Sequence, residues 1–433
     1  MAIVGAGQAG IVLAAELLRR GYGVSLYSDQ TPEEYVAGNG RPTACLFGDS
    51  VVRERELGLD FWAGRAPSIE RIHLDLCLPI RCIAFSLRAP LRSPALAVDQ
   101  RLKFSRGMTE MARRGARLEF TPVSVEALER IAAGHDLTVV AGGHRGLGSG
   151  LFERDAPRCR HDRPRRRLFM LNITDYDLEA GVGQDQLKFS FIPGVVEIFW
   201  VPFYDVDAGV SRSIVIESVP GGPADRFGEL RSADEGLKVL KDFVRTFLPW
   251  ESGFLAPATA THARTWLKGA VVPTVNTPVG RLPSGAPVLG LGDAVIVNDP
   301  LAGQGANNAT RMAHFFAERI QDRGEQPFDP EWLTRQFDDF WEYSRYVNDF
   351  SNTLLEPLRG FQRNLLISAS RRPDIAEEFF EGFNHPPGLF PWFTEPKAAR
   401  EFLTAWGVNR RTLSSYQLGV VRNVLRQKMR GRH

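Results

Sequence analysis

The chain opens on four apolar residues, Met1, Ala2, Ile3 and Val4, and this unbroken run predicts a buried strand. Ile11, Ala14, Ala15 and Leu18 then recur at i, i+3, i+4 and i+7, the stripe of an amphipathic helix. Gly21 stands where a helix-ending C′ glycine belongs, and a second apolar run, 24–27, follows it. Between the first strand and the helix lie Gly5, Gly7 and Gly10, spaced G-x-G-x-x-G. In this strand–turn–helix–strand setting, Gly5 allows a tight turn and Gly7 lets the backbone approach a pyrophosphate. Gly10 lets helix and strand pack closely. The N–H groups and dipole of the helix start favour an anion there. The plain alternative is a glycine-rich turn with no ligand. The second strand ends at Ser28 and Asp29, and the residues alone leave both open as the group that takes a ribose.

Residues 33–41 are polar and contain glycine, which reads as a loop; Arg41 there is either a phosphate ligand or a surface arginine. Residues 45–62 predict a helix with Arg53, Glu54, Arg55 and Glu56 outward. Loose alternation over 69–91 predicts strands. Residues 102–114 predict a helix opened by Asp99 and stopped by Gly115, with Arg101 at its start pointing to an anion site. Apolar runs at 116–120 and 136–143 add strands, and with the opening unit they predict a parallel, doubly wound α/β sheet. From about 167 to 220 the pattern changes. Runs at 187–191, 195–203 and 211–218, with Pro193-Gly194 as a turn, predict a separate antiparallel sheet. A helix over 234–248 and strands over 270–275 and 286–291 follow.

A second informative stretch begins where the strand 286–291 runs into Gly292 and Asp293. A Pro/Gly loop over 299–305 then opens a helix from 306 to about 322. An aspartate at a strand's carboxyl end sits where open α/β sheets bind ligands, and the helix start offers a second set of N–H groups. Beyond Gly324 the chain reads as helical, with Asp329 and Pro330 as N-cap and N1. Trp332, Phe337, Phe340, Trp341, Tyr343 and Tyr346 read as core, and 422–433 as a basic, fraying helix end.

Composition narrows the picture. A hydrophobic fraction of 43% and a charged fraction of 24% over 433 residues fit a soluble globular protein of two or three domains. A net charge of +2 argues against a general nucleic-acid binder. No run approaches a membrane span, and a strand starting at Met1 leaves no room for a signal peptide. Cys45, Cys77, Cys82 and Cys159 have neither metal nor disulfide spacing. A cytoplasmic location is expected, with no membrane or nucleic-acid partner and no metal. Arg158, Arg160, Arg163, Arg165, Arg166 and Arg167 cluster locally, as a solvated connection or as a docking patch for an acidic partner or anionic cofactor.

Three separated motifs, GAGQAG at the start, DLTVVAGG from Asp136 and GLGDAVIVNDPLAGQGAN from Gly290, now stand together. As a set they resemble the FAD-dependent monooxygenases of the aromatic-hydroxylase fold, and within them the styrene and indole monooxygenases. Further matching segments are Ala97-Val98-Asp99 with Arg101-Leu102, the FSFIPG run from Phe189, Gly269 to Pro273, and Phe383-Asn384. The resemblance spans almost the whole chain. It implies a Rossmann-like FAD-binding domain in three parts (1–65, 96–165 and 271–325). Substrate-domain strands over 66–95 and a substrate-binding β-sheet domain over 166–270 are interleaved with it, and a helical region over 326–433 follows.

The resemblance implies FAD in an extended pose, entering as FADH2, with O2 as co-substrate. Gly5, Ala6, Gly7, Gln8, Ala9 and Gly10 would hold the pyrophosphate, helped by Arg101, with Val123 near the adenine. Asp293 would take the ribityl or phosphate portion. Pro300 and the helix start at Gly303, Gln304, Gly305, Ala306 and Asn307 would face the isoalloxazine N1–C2=O edge. There N–H groups and dipole would stabilise the anionic reduced flavin. Reduced flavin would add O2 as a C4a-hydroperoxide and pass its distal oxygen to an electron-rich C=C bond of a styrene- or indole-type substrate, giving an epoxide. The cofactor carries that chemistry, so no catalytic acid–base residue is expected.

Pocket candidates are Ala44, Leu46, Phe191, Phe199, Val201, Phe203, Pro300 and Leu301. In the styrene enzymes the position of Ala44 carries an asparagine. No second dinucleotide fingerprint is visible: 142–150 is glycine-rich but lacks a following apolar helix. The expected partner is therefore a separate NADH-dependent flavin reductase, with a homodimer as the expected self-association.

Competing readings are an indole oxygenase of a natural-product pathway, a flavin-dependent halogenase, and a non-catalytic FAD-fold binding or escort protein. Halogenases carry W-x-W-x-I-P, and here Glu197 and Phe199 replace both tryptophans. The helix start at Gly303 to Asn307 argues against the escort reading, because an adenine-only binder needs no isoalloxazine site.

Overall fold

The computed structural model describes all residues except 80, 144–146, 181–182 and 431–433. Parts of the glycine-rich stretch 142–150 and of the basic tail 422–433 thus lie outside the described residues. The fold is α/β, as expected, and two sheets dominate it. The first has six strands in the order Val279–Arg281, Pro287–Gly290, Thr138–Val140, Ala2–Val4, Ser25–Ser28, Arg117–Phe120. All its pairings are parallel except that of the edge strand Val279–Arg281. Helices Gln8–Arg19, Gln100–Arg113 and Gly305–Arg323 pack on it through Ile11, Met108, Met312 and Phe316, all buried. Both faces are covered, so its central strands read as continuous apolar runs rather than alternating ones.

The second sheet has nine strands, from Thr259–Ala260 to Cys45–Leu46 on its main path. It is mixed rather than purely antiparallel, because Ser68–Leu78 pairs in parallel with Gln186–Ile192. The period-two alternation gives its faces different roles. One face carries Phe189, Phe199, Val201 and Phe203 and meets the helices Pro330–Leu354 and Pro373–Asn384. The other carries Trp200, Ile214 and Ile216 and meets the helix Ala233–Phe247. On that second face a buried Lys188 lies 3.1 Å from Asp75 and also pairs with Glu251, while His73 bonds Asp75 at 2.7 Å. Neighbouring strands bring these charges together, which lets each be buried with a partner.

Three local elements differ from the sequence reading. Residues within 33–41 form a helix, Pro32–Ala37, closed by a Thr31/Glu34 capping box with Pro32 in its first turn. The stretch 45–62 begins as a strand, Cys45–Leu46, and turns helical only over Gly48–Glu56. A helix over Val125–Ala133, capped by Ser124, went unpredicted. The arginine cluster is an internal staple. Arg158 pairs with Asp338 at 2.7 Å, Arg160 with Asp349 at 3.0 Å and Arg165 with Glu356 at 3.8 Å, tying the connection to the long helix and its end. Arg166 and Arg167 pair with Glu197 and Asp225. No described helix is long and apolar enough to cross a membrane.

Candidate functional site

The parallel register places the carboxyl ends of Ala2–Val4, Ser25–Ser28, Thr138–Val140 and Pro287–Gly290 along one edge. From Ala2–Val4 the chain first moves outward to Ser25–Ser28, then builds on the opposite side with Thr138–Val140. Such a reversal is the switch point at which open α/β sheets bind ligands. The three glycines divide the work there. Gly5 has φ +118°, and a Cβ on it would lie 2.5 Å from the Gly142 nitrogen. A Cβ on Gly10 would lie 1.9 Å from the Gly5 carbonyl oxygen, so only glycine permits this helix–strand approach. A Cβ on Gly7 would meet no atom of the described residues within 4 Å. The helix Gln8–Arg19 has no side-chain N-cap, so its first N–H groups face that space.

At the second strand the structure separates two residues that the sequence left equivalent. The Ser28 hydroxyl is buried and bonds the Gln30 carbonyl at 2.7 Å, whereas Asp29 is exposed. Arg41 lies over the Tyr35 ring and donates to Gln30 Oε1 at 2.6 Å. Val123 packs half-buried against the first core, just past the strand Arg117–Phe120. Gln8 donates to Glu54 at 2.9 Å and to Thr310 at 3.0 Å, linking the two ligand-side helices.

Arg101 requires a correction. It is fully buried, and Asp99 holds its fork through Nη2 at 2.6 Å and Nε at 3.1 Å, with Asp205 and Asp207 beyond. The physical reason is the N-cap: Asp99 turns back over the first turn and meets the guanidinium two residues on. The guanidinium is a brace inside the protein rather than a phosphate ligand.

The second helix start lies across the edge from the first. Gly292 (φ +60°) fits tightly, since a Cβ there would lie 3.0 Å from that of Ala9 and 3.6 Å from that of Ala309. Asp293, next in the chain, therefore sits between the opening turns of two helices. Its carboxylate has no protein hydrogen bond among the described residues, and the dense surroundings push its pKa up to about 6 even though the residue stays exposed to solvent. Then Asp299 caps a turn, its Oδ1 accepting the Leu301 N–H at 3.1 Å, and Gly303 takes φ +64°. The helix Gly305–Arg323 also lacks a side-chain cap, and its first turn bond is Asn308 N–H to the Gln304 carbonyl. The N–H groups of Gly305, Ala306 and Asn307 are thus the orphan donors of this helix.

The side chains here brace the turn. Gln304 donates to the Ala302 and Phe383 carbonyls. Asn307 donates to the Cys45 and Gly303 carbonyls and accepts the Phe47 N–H. Buried polar atoms normally find partners, yet Gln304 Oε1 and both amide atoms of Asn298 find none among the described residues. Orphaned polar atoms beside two uncapped helix starts fit an extended ligand with phosphates at one end and a polar ring at the other.

An aromatic wall adjoins this turn. Phe189 meets Phe199 edge-on at 5.1 Å and stacks on Phe383 at 5.5 Å, and Phe191 meets Phe199 at 6.2 Å. Phe47 and Phe350 close on Phe383 at 5.7 and 5.2 Å. Val201, Phe203 and Leu301 belong to the same core, and Pro300 sits half-buried beside Leu301. A Cβ on Gly303 would stand 3.4 Å from the Phe47 ring, so turn and wall are in direct contact. Ala44 is half-buried next to Thr43, which bonds Ser213. Leu46 is buried but lies outside the aromatic core; strand alternation gives that place to Cys45 and Phe47. Phe47, Phe350 and Phe383 were not among the pocket candidates, although Phe383 lies in a matching segment.

Among the described residues no group of three or more His, Cys, Asp or Glu could hold a metal ion.

Comparison with known proteins gives three findings. The family described as "Styrene monooxygenase A putative substrate binding domain" matches residues 143–253. Styrene monooxygenase StyA of Pseudomonas fluorescens is 27% identical over 412 residues, covering 91% of this chain and 95% of that protein. A StyA from another Pseudomonas is similar to the same extent. Among solved structures, a triple mutant of the flavin-dependent brominase Bmp2 superposes with a TM-score of 0.65 at 14% identity, covering 94% of this chain and 99% of that one. p-Nitrophenol 4-monooxygenase PnpA of Pseudomonas putida gives 0.61 at 14% identity, covering 89% and 97%. At that identity both structural likenesses speak for the fold alone.

Proposed function

We propose, on the premise that this chain is a styrene monooxygenase-like flavin-dependent monooxygenase, that it binds reduced FAD along the two helix starts. There it transfers one oxygen atom from O2 to the C=C bond of a styrene- or indole-type substrate, giving an epoxide, while the two electrons of reduced FAD take the second oxygen atom to water. The observation that carries this reading is the contact between the uncapped turn at 303–307 and the aromatic wall of Phe47, Phe189, Phe199 and Phe383. An escort protein needs no such arrangement, whereas an oxygenase needs a polar seat for the flavin ring beside a dry, apolar seat for an alkene.

The geometry supports the following roles. Gly5 to Gly10 hold the pyrophosphate, with the space over Gly7 admitting it. Asp29 takes the adenosine ribose and Asp293 the ribityl hydroxyls. The N–H groups of Gly305, Ala306 and Asn307 face the ring's carbonyl edge, where helix-end donors stabilise negative charge. Asn298 and Gln304 complete their hydrogen bonds on the cofactor. When bound and reduced, FAD supplies the oxygen chemistry. The chain's own part is to exclude water and to hold the alkene against the wall, with Pro300 and Leu301 between the two seats.

Reduced flavin is supplied by a separate NADH-dependent reductase. The described part of 142–150 continues only into a four-residue helix, Gly148–Leu151, too short to seat a second dinucleotide. The purified chain with FAD is therefore expected to leave NADH and NADPH unoxidised in a stopped-flow trace, and an added reductase to restore NADH use. Rapid flavin reduction by NADH without the reductase contradicts the two-component reading.

A further inference from the structure

We propose that Glu217 is a positioning residue of the flavin-facing turn: its carboxyl group and that of Asp299 hold one proton between them, and the shared proton seats the turn at 299–303. This rests on the reading that FAD lies at the helix start following that turn. Three carboxyl groups meet under the aromatic wall, from Glu197, Glu217 and Asp299, with one cation, Arg166. Glu197 and Glu217 are directly opposed on neighbouring strands, on the face that carries Phe199 and Val201. Arg166 is committed to Glu197 by a fork of 2.6 and 2.9 Å. Glu217 is left with neither oxygen accepting an N–H or O–H among the described residues, although it is fully buried. Its one carboxyl neighbour within hydrogen-bond reach is Asp299, itself 1% exposed.

Two carboxylates in contact in a dry site cannot both be ionised, because each desolvated charge is uncompensated and repels the other. One proton between them resolves this and supplies the missing donor. Burial first, and then the neighbouring Asp299 charge, push Glu217 well above the usual carboxylate range, and burial also raises Asp299. The other charged groups facing the pair are Glu197 and Arg166, which neutralise each other. Asp299 in turn holds the Leu301 N–H, and two residues later Gly303 reverses the chain into the helix start. The proton thus fixes the member of the pair on which the turn is hung. It also keeps a second negative charge away from a flavin that becomes anionic on reduction.

The test compares wild type, Glu217→Gln and Glu217→Leu by two readouts. The first is infrared spectroscopy of the cofactor-free protein at pH 7, together with its unfolding as a function of pH. A carboxylic-acid C=O band is expected in wild type and is lost in Glu217→Gln. The folded state holds a proton that the unfolded state releases, so wild-type stability falls as pH climbs from the ordinary carboxylate range toward the raised pKa. The unfolding constant grows by up to about tenfold per pH unit more than in Glu217→Gln. The second readout is FAD binding by fluorescence quenching. Glu217→Gln keeps an N–H toward Asp299 and should bind FAD within about twofold of wild type, whereas Glu217→Leu should lose about tenfold. Identical infrared spectra in wild type and Glu217→Gln, or equal loss of FAD binding by both folded variants, overturn the proposal. A wild-type chain that shows the band but binds no FAD overturns the cofactor reading, and with it the role given to the turn.

Discussion

Gly7→Val is expected to abolish FAD binding and leave the chain folded. Gly7 has φ −84° and ψ −166°, an extended conformation that valine adopts without strain. No atom of the described residues lies within 4 Å of the added Cβ, so their packing is not disturbed. What the new side chain occupies is the space over the helix N-terminus. A pyrophosphate kept off that end loses charge-assisted bonds worth roughly 1.5–3 kcal/mol each. Losing two of them weakens binding by about a hundredfold to ten-thousandfold. The contrast with Gly10 gives the experiment its meaning: a Cβ there lies 1.9 Å from the Gly5 carbonyl, so Gly10→Val damages the fold itself. A thermal melt and a fluorescence titration separate the two. Undiminished FAD affinity in folded Gly7→Val removes the pyrophosphate from this turn.

The second large effect is at Asp293. Its carboxylate stands between two helix starts with no hydrogen-bond partner among the described residues, and its pKa is pushed up to about 6 by its dense surroundings. Cofactor hydroxyls that donate to it prefer the ionised form. FAD affinity should therefore rise with pH up to about 6 and level off above, because below that value a proton must first leave. Asp293→Ala should weaken binding by about tenfold to a hundredfold at neutral pH, the effect of one charged hydrogen bond. The same variant should flatten the pH dependence. A change below twofold, with the pH profile intact, places the ribityl chain elsewhere.

Legibility in the sequence followed the distance over which each feature is decided. The opening unit is local, so its glycine spacing and apolar stripe predicted strand, turn and helix closely. Asp99, Asp329 and Ser232 cap their helices with their own side chains. The short helix Pro32–Ala37 was equally local, and Thr31, Pro32 and Glu34 spell its capping box; the polar composition outweighed that signal. By contrast, Cys45–Leu46 is a strand only because Leu96 and Ala97, about fifty residues on, lie beside it, and an apolar run alone does not choose between strand and helix. The parallel pairing of Ser68–Leu78 with Gln186–Ile192 is non-local for the same reason.

At the site, residue types pointed to the two helix starts, whose chemistry lies in backbone N–H groups. Side chains were harder to place. Arg101 looked like an anion ligand until its own N-cap acid took it. The aromatic wall joins Phe47, Phe189, Phe350 and Phe383 from four separate elements, and no spacing rule connects them. Glu217 read as an ordinary strand position, because its lack of a hydrogen-bond donor among the described residues exists only after folding.

Oxygen transfer by flavin held in this chain is open to one direct measurement. The purified protein is mixed with chemically reduced FAD and O2, without reductase or metal, in the presence of styrene or indole, and products are identified by mass. One oxygen atom from 18O2 is expected in the organic product, with little H2O2, because the wall around Phe189 to Phe203 keeps water from the flavin. Stoichiometric H2O2 and oxidised FAD, with no oxygenated product from any alkene or indole supplied, would contradict it.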